Sequence, residues 1–459
     1  MSSALFHEQG AAAFSAIVTA HARQRPESPA IVDRHGTYSF AQLESAVASR
    51  ADELNASEVP PNAIVGITAE REFETLANLL GVVRARRVPL LLDRLYPRSY
   101  ARDRLEQVRA AAVISRNEPA RLSGDRHEWT ILADEDAYVT FTSGTSGKPQ
   151  AVVASWAALD NYVKWAPETF GDIHLSRFAL VSGLGHDPLW RDLLTPLLLG
   201  ATLFVPSSRQ WASGAVLAAF LIDHEIQAFS CTPTQMSVIA QSTPAGTAPA
   251  LRRVLLGGEP LMPKTVSAAR RWAPAARLFN VYGLTETPQV AAFNEICAWN
   301  TTGSGPLPIG SPAPGFIFTI SELRTLQVAS GPIARAVIDS DGHVHALNHP
   351  FDTGDLAHRE GAAFVVSGRR DRVLNVRGAR VDLTMIEFNI MTIGGVTACR
   401  VRVDEDVLAA LVVVDSPDSG LTAELIRRSL SKTVPLSHIP SRVDFVTRNT
   451  TITPNGKIS

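Results

Sequence analysis

Cysteine is scarce. Cys231, Cys297 and Cys399 are the only thiols in 459 residues, and they stand far apart with no metal-ligand spacing. That excludes a disulfide framework and a cysteine-based zinc site, and buried free thiols in a reducing cytoplasm are expected. An excess of either charge is missing too. Lys and Arg number 43 against 45 Asp and Glu, for a net charge of −2, so there is no polyanion footprint and no nucleic-acid partner is expected. Long hydrophobic runs are absent. The stretch from Leu197 to Val205 is too short and too interrupted to span a bilayer, so no membrane partner is expected. The first residues, Met1 to Glu8, carry no basic start ahead of an apolar stretch, so no export signal is read and a cytoplasmic location is expected. What is present, 45% hydrophobic and 19% charged residues, is globular, and the length calls for more than one core.

Strand-like and helix-like segments alternate through the first part. Apolar residues at Phe14, Ile17 and Val18 have helical spacing. Strands are expected at Pro29 to Asp33 and Thr37 to Phe40, with Ser39 or Thr37 capping the helix that follows. Strands at 63–67, 88–92 and 112–114 are separated by helices at 72–86 and 99–110. This alternation means βαβ units and a mostly parallel sheet. It resumes after residue 157, with strands at 177–181, 203–205, 228–230, 253–256 and 277–282. Each of those strands ends in small or polar residues, and in open α/β sheets ligands collect at the carboxyl ends of strands. From about Gly305 short strands and turns predict a small β subdomain. Beyond Asp371 lies a compact α+β unit of a size that folds alone. The expected fold is α/β: a large N-terminal core domain, 1–370, of βαβ sheets plus the β subdomain, then a small α+β C-terminal domain, 371–459.

The stretch from Thr140 to Pro149 lies between two β-forming runs, Ala137-Tyr138-Val139 and Ala151-Val152-Val153. Its loop offers backbone N–H groups unobstructed by large side chains, together with hydroxyls and the Lys148 ammonium, a combination suited to polyphosphate oxygens. It is not a Walker loop, because its glycines are three apart and Pro149 follows the lysine. Taken alone, an ordinary Ser/Gly turn is an equal reading.

Other stretches favour the first reading. Tyr138 to Pro149 resembles the phosphate loop of adenylate-forming (ANL superfamily) enzymes. Asn280-Val281-Tyr282-Gly283-Leu284-Thr285-Glu286 is similar to their second nucleotide motif, and Thr353-Gly354-Asp355-Leu356 to their ribose motif. Gly368-Arg369-Arg370-Asp371, with Arg377-Gly378-Ala379-Arg380-Val381, resembles their hinge. Pro454-Asn455-Gly456-Lys457 resembles their terminal lysine motif. Within that superfamily the chain looks most like an amino-acid adenylation domain of nonribosomal peptide synthetases, on Asp371 at the hinge and Asp187 in His186-Asp187-Pro188.

The resemblance implies ATP and Mg²⁺ as cofactors, an amino-acid substrate and a carrier protein bearing phosphopantetheine. Thr142, Ser143, Gly144, Thr145, Ser146, Gly147 and Lys148 would hold the β- and γ-phosphates. Thr285 would bond the α-phosphate, and Glu286 would be a Mg²⁺ ligand. Tyr282 and Gly283 would flank adenine, with Gly258 and Asn280 near the base edge. Asp355 would accept the ribose hydroxyls, and Arg369 would approach ribose or phosphate. Lys457 would lie between the attacking carboxylate and the α-phosphate as negative charge builds there. Asp187 would pair with the substrate ammonium, and the side-chain pocket would comprise His186, Pro188, Arg191, Ser230, Val254, Leu256, Val281, Gln289 and Val290. Arg191 and Gln289 point to a polar or acidic substrate side chain. Because Lys457 and the segment around Gly378 would serve different half-reactions, the small domain would be mobile, turning about Asp371.

Plainer readings stand beside these. Thr285-Glu286 could cap a helix, Asp355 could be a turn aspartate, and Asp187 could cap the helix after Pro188. Arg191 could face solvent and pair with Asp192, and Lys457 could be a solvated tail lysine. The chain also departs from the family pattern at Arg84 to Arg87, Gln150-Ala151, Val366, Asn375 and His186. His186 leaves an acyl- or aryl-CoA ligase as an alternative, and a non-catalytic nucleotide-binding scaffold is another. No Gly-Gly-x-Ser carrier motif occurs, so the chain is expected to be either a stand-alone enzyme or a piece of a larger synthetase.

Overall fold

In the computed structural model, residues 10–116, 118–142, 149–297, 305–376, 379–404, 407–414 and 420–447 are described. Two large sheets organise the chain up to residue 346. One has the order Val344–Ala346, Ala336–Ile338, Gln150–Ser155, Asp136–Thr142, Val88–Asp93, Ile64–Ala69, Ala112–Ser115, Arg121–Leu122. Its centre is parallel, with Ile64 opposite Val88 and Ala69 opposite Asp93. Strands such as Ile64–Ala69 are covered on both faces, which is why they read as continuous rather than alternating apolar runs. The other sheet has nine strands. Arg277–Tyr282, Arg253–Gly257, Ala228–Cys231, Arg177–Ala179 and Thr202–Phe204 run parallel through its middle.

Helices pack on these sheets. Phe40–Ala56 begins with a capping box in which Ser39, not Thr37, accepts from the Gln42 N–H while the Gln42 side chain accepts from Ser39 N–H. It packs against Phe73–Arg84 at Gly81. A Cβ at that position would come within 2.6 Å of Arg50 Cβ, so the close approach needs glycine. The arginines that depart from the family pattern are structural. Arg84 forks onto Glu44 at 2.7 and 2.9 Å. Arg86 takes the left-handed φ of +57°. Arg87, buried, donates to the carbonyls of Leu54 and Val59.

The turn-rich stretch after Gly305 does not form one separate unit. Ile317–Ile320, Thr325–Ser330, Phe351–Glu360 and Ala363–Arg369 make a four-stranded antiparallel sheet. The hairpin Ala336–Ile338/Val344–Ala346 instead joins the eight-stranded sheet, Ala336 opposite Val153 and Ile338 opposite Ala151. Alternation and turns signal strands but carry no information on which sheet edge they extend. Of the thiols, Cys231 is buried, Cys399 half-buried and Cys297 exposed just past the strand Ala292–Glu295.

Residues after Asp371 build the sheets Val373–Val376/Ala379–Asp382 and Val396–Asp404/Val407–Val414/Arg442–Thr447 with the helices Leu383–Met391 and Ala423–Leu430. Their apolar side chains form a cluster of their own, from Val376 to Val434. Lys264, on the helix Pro263–Trp272, donates to the carbonyls of Met391 and, at 2.7 Å, of Val396, and so ties this unit to the preceding residues. No helix among the described residues is long and apolar enough to cross a membrane.

Candidate active site

The phosphate-loop candidate is the turn of an antiparallel hairpin. Its strands are Asp136–Thr142 and Gln150–Ser155, and Thr142 pairs with Gln150 at the neck. Residues 143–148, which include Ser143, Gly144, Thr145, Ser146, Gly147 and Lys148, lie outside the described residues. Lys457, Arg377 and Gly378 do as well. Alternation along the first strand sends Tyr138, Thr140 and Thr142 to one face. That face meets the segment leading to Asp187: Thr140 Oγ1 donates to Gly185 O at 2.9 Å, and the Tyr138 hydroxyl donates to Asp187 Oδ1. The same segment is held from behind. Buried Arg71 donates to the carbonyls of Leu180 and Ser182, and Trp211 Nε1 donates to Val181 O at 2.6 Å.

Asp187 is 6% exposed. Although it precedes the helix Pro188–Leu199 with Pro188 at the first position, its side chain caps nothing. Its Oδ1 takes the Tyr138 O–H and, at 3.2 Å, Gln289 Nε2; its Oδ2 takes the Gln289 backbone N–H at 3.0 Å. Burial pushes its carboxyl up to about 6, against those hydrogen bonds and the nearby Arg191. Gln289 reaches it because its backbone adopts φ +72°, a left-handed conformation uncommon outside glycine.

Of the pocket residues, Arg191 and Gln289 meet: Arg191 Nη1 donates to Gln289 O at 3.3 Å. Arg191 does not face solvent. It is 6% exposed, with Asp192 Oδ1 at 3.6 Å from its Nε. Among the described residues Arg191 Nε and Gln289 Oε1 are buried without a hydrogen-bond partner. Ser230 donates to Asp192 Oδ1 at 2.7 Å, and Ser182 donates to the other oxygen. Val254 and Leu256 are fully covered in one apolar cluster, and Val281 and Val290 lie in another. His186 and Pro188 are half-buried beside Asp187.

The ribose candidates converge. Asp355, on Phe351–Glu360, stands directly across from Arg369 on Ala363–Arg369. Arg369 Nη1 donates to Asp355 Oδ1 at 3.1 Å, and the Tyr282 hydroxyl, at the end of Arg277–Tyr282, donates to Oδ2 at 2.6 Å. The remaining prongs of Arg369 fork onto Asp371 at 3.0 and 3.2 Å. Burial raises the Asp355 carboxyl above its usual range. Gly354 supplies a φ of +73° in the bend ahead of it. Asn280 is buried, and its amide N–H groups donate to Leu307 O and Pro308 O. Gly258 is exposed at the end of Arg253–Gly257.

Thr285 and Glu286 begin no helix. They sit in a tight turn closed by Thr287, whose backbone N–H donates to Leu284 O and whose hydroxyl accepts from Leu284 N–H, both at 2.9 Å. Gly283 opens that turn, and a Cβ there would lie 3.0 Å from Gln289 O. Burial raises the Glu286 carboxyl, with Arg369 and Asp355 both within electrostatic reach. A half-buried hard-oxygen donor of this kind fits a Mg²⁺ ion. Sequence reasoning gave Tyr138 no role. The signal for it was strand alternation, which sets Tyr138 on the same face as Thr142.

The model of the family described as AMP-binding enzyme matches this chain over residues 18–136 and 116–329. Bacitracin synthase 3 of Bacillus licheniformis is 26% identical over 480 residues, covering 95% of this chain but 7% of that protein. The chain therefore spans a small fraction of the length of such relatives. Klebsiella oxytoca NpsA, solved in complex with 3-hydroxyanthranilyl-AMSN, superposes with a TM-score of 0.80 at 18% identity, over 99% of this chain and 98% of that one. The o-succinylbenzoate CoA synthetase of Bacillus subtilis, in complex with an acyl-adenylate intermediate, gives 0.77 at 18% identity over 96% of each. The strand-end cluster, the fold and the family match agree: the chain belongs to the AMP-binding enzyme family and has the α/β fold of an adenylation domain.

Proposed function

We propose that the protein activates an amino acid with ATP and passes it to the phosphopantetheine thiol of a carrier protein. The substrate carboxylate oxygen attacks the α-phosphorus, the bond to the bridging oxygen breaks, and pyrophosphate leaves. The thiol sulfur then attacks the acyl carbon, loses its proton, and AMP departs. Two anions must meet in the first step, so charge neutralisation and positioning dominate. Asp355 receives the ribose hydroxyls, with Tyr282 and Arg369 already fixing its two oxygens. Thr142 to Lys148 hold the leaving pyrophosphate, Thr285 the α-phosphate, and Lys457 the charge that develops between the reactants. Glu286 would hold Mg²⁺, which when bound neutralises phosphate charge. Asp187 pairs with the substrate ammonium, and Asp371 is the hinge between domains 1–370 and 371–459. The buried Gln289 Oε1, which accepts no hydrogen bond among the described residues, supports a polar side chain on the substrate.

The observation that carries this reading is the Tyr282–Asp355–Arg369 cluster at the carboxyl end of the same sheet region that presents Asp187. A second reading, activation of an acyl or aryl acid, is favoured by one feature: neutral donors already reach both oxygens of Asp187. ATP–pyrophosphate exchange against amino, aryl and fatty acids separates the two. Exchange with an amino acid but not its deaminated analogue supports the first. Exchange with plain acids, with AMP release on adding CoA alone, supports the second.

A further inference from the structure

We propose that Tyr138 is a positioning residue for substrate selection: its hydroxyl aims the Asp187 carboxylate at the substrate ammonium and locks it to the loop that carries Gln289. This rests on the amino-acid reading of Asp187.

The geometry is a closed three-part knot. Tyr138 donates to Asp187 Oδ1, Gln289 Nε2 reaches the Tyr138 hydroxyl oxygen at 3.1 Å and Asp187 Oδ1 at 3.2 Å, and Gln289 N–H holds Oδ2. Tyr138 and Gln289 are 1% and 3% exposed, so water does not substitute for either donor. The phenol ring is itself fixed, stacked on Trp190 with centroids 4.6 Å apart and planes 20° apart. Trp190 lies on the helix that Asp187 precedes. One residue therefore ties together the strand that leads to the phosphate loop, the start of the substrate helix and the turn after Thr285-Glu286. Burial and the adjacent carboxylate keep the phenol protonated, so its hydrogen bond has a fixed direction. A carboxylate held this way has no freedom to swing from an ammonium, and binding that depends on charge depends on that aim.

The test is Tyr138→Phe, which keeps the ring and its stacking and removes only the hydroxyl. ATP–pyrophosphate exchange is measured with the best amino acid, with its deaminated analogue, and with varied ATP. We expect KM for the amino acid to rise roughly tenfold or more, with kcat and the ATP KM little changed and the deaminated analogue unaffected, so that the preference for the amine collapses. If the preference survives, or if all substrates, ATP and Tm fall together, Tyr138 is merely structural and the inference is overturned. Should Tyr138→Phe not fold, Gln289→Met removes the second arm of the knot and must lower the same preference; a variant with intact preference overturns the inference equally. The failures are distinguishable. If the wild-type chain exchanges no amino acid, the reading of Asp187 is wrong. If it prefers the amino acid and both variants retain that preference, only the role of Tyr138 is wrong.

Discussion

Asp187 shows what a single residue reveals and conceals. The family resemblance made Asp187 a candidate for an ammonium partner, while Pro188 after it offered a helix cap instead. The structure withdraws the cap, because the side chain turns to Tyr138 and Gln289 instead. Those partners lie 49 and 102 residues away in sequence, and no local pattern encodes such a meeting. A pH dependence follows from the surroundings. Asp187 faces Tyr138 from the phosphate-loop strand, Arg191 from its own helix, Gln289, and more distantly Glu286 from the turn after residue 282. Burial pushes its carboxyl up to about 6. Only the ionised form pairs with an ammonium, so as pH falls through that value protons compete with the amino acid. KM for the amino acid should then climb by up to about tenfold per pH unit while the ATP KM stays level. Steady-state exchange kinetics on both sides of that value check this; a level amino-acid KM would remove Asp187 from the ammonium site.

Elements were more legible than the contacts between them. The parallel strands of the nine-stranded sheet lie close to where continuous apolar runs and their polar ends placed them, because a strand covered on both faces must be apolar throughout; its antiparallel edge strands Ala292–Glu295 and Ser311–Pro312 went unread. Three helices went unread, Pro233–Gln241, Pro263–Trp272 and the short Ser208–Trp211. The first carried its signal openly, with Thr232 as cap, Pro233 at the first position and Gln235 completing a capping box. It was absorbed into the strand end that precedes it. A buried ion pair was invisible for another reason. Asp172, in the short turn Asp172–His174, and Arg253, on the strand Arg253–Gly257, are 81 residues apart yet form a two-pronged pair at 2.8 and 2.9 Å. Asp172 is 0% and Arg253 4% exposed, so removing one partner strands a charge. Arg253→Met should lower unfolding stability by about 3–5 kcal/mol in urea titration, and the double change Arg253→Met with Asp172→Leu should recover most of that loss. Equal losses in the single and double variants would show that the pair does not act as a unit.

At the scale of the whole molecule, the alternation of strands and helices gave the α/β architecture, and five stretches in family order agreed with it. What they did not give was how the ribose site meets the joint that follows it. Arg369 stands across a strand pair from Asp355 and two residues before Asp371, and it holds both. The candidate nucleotide site and the proposed hinge therefore share one guanidinium. A hinge is a few residues that absorb a backbone rotation, and proline fixes one of the two angles that rotation requires. Asp371→Pro should thus slow transfer of the activated acyl group to the carrier thiol by an order of magnitude or so while ATP–pyrophosphate exchange persists. Proline also removes the carboxylate that Arg369 grips, so Asp371→Asn is the companion. Asparagine keeps the backbone free and weakens only the fork, and it should raise the ATP KM modestly without slowing transfer. Single-turnover loading of a carrier protein, measured beside exchange for both variants, distinguishes the two roles. Loss of exchange and loading in equal measure for Asp371→Pro would mean that Asp371 serves the nucleotide site through Arg369 and that the chain turns elsewhere.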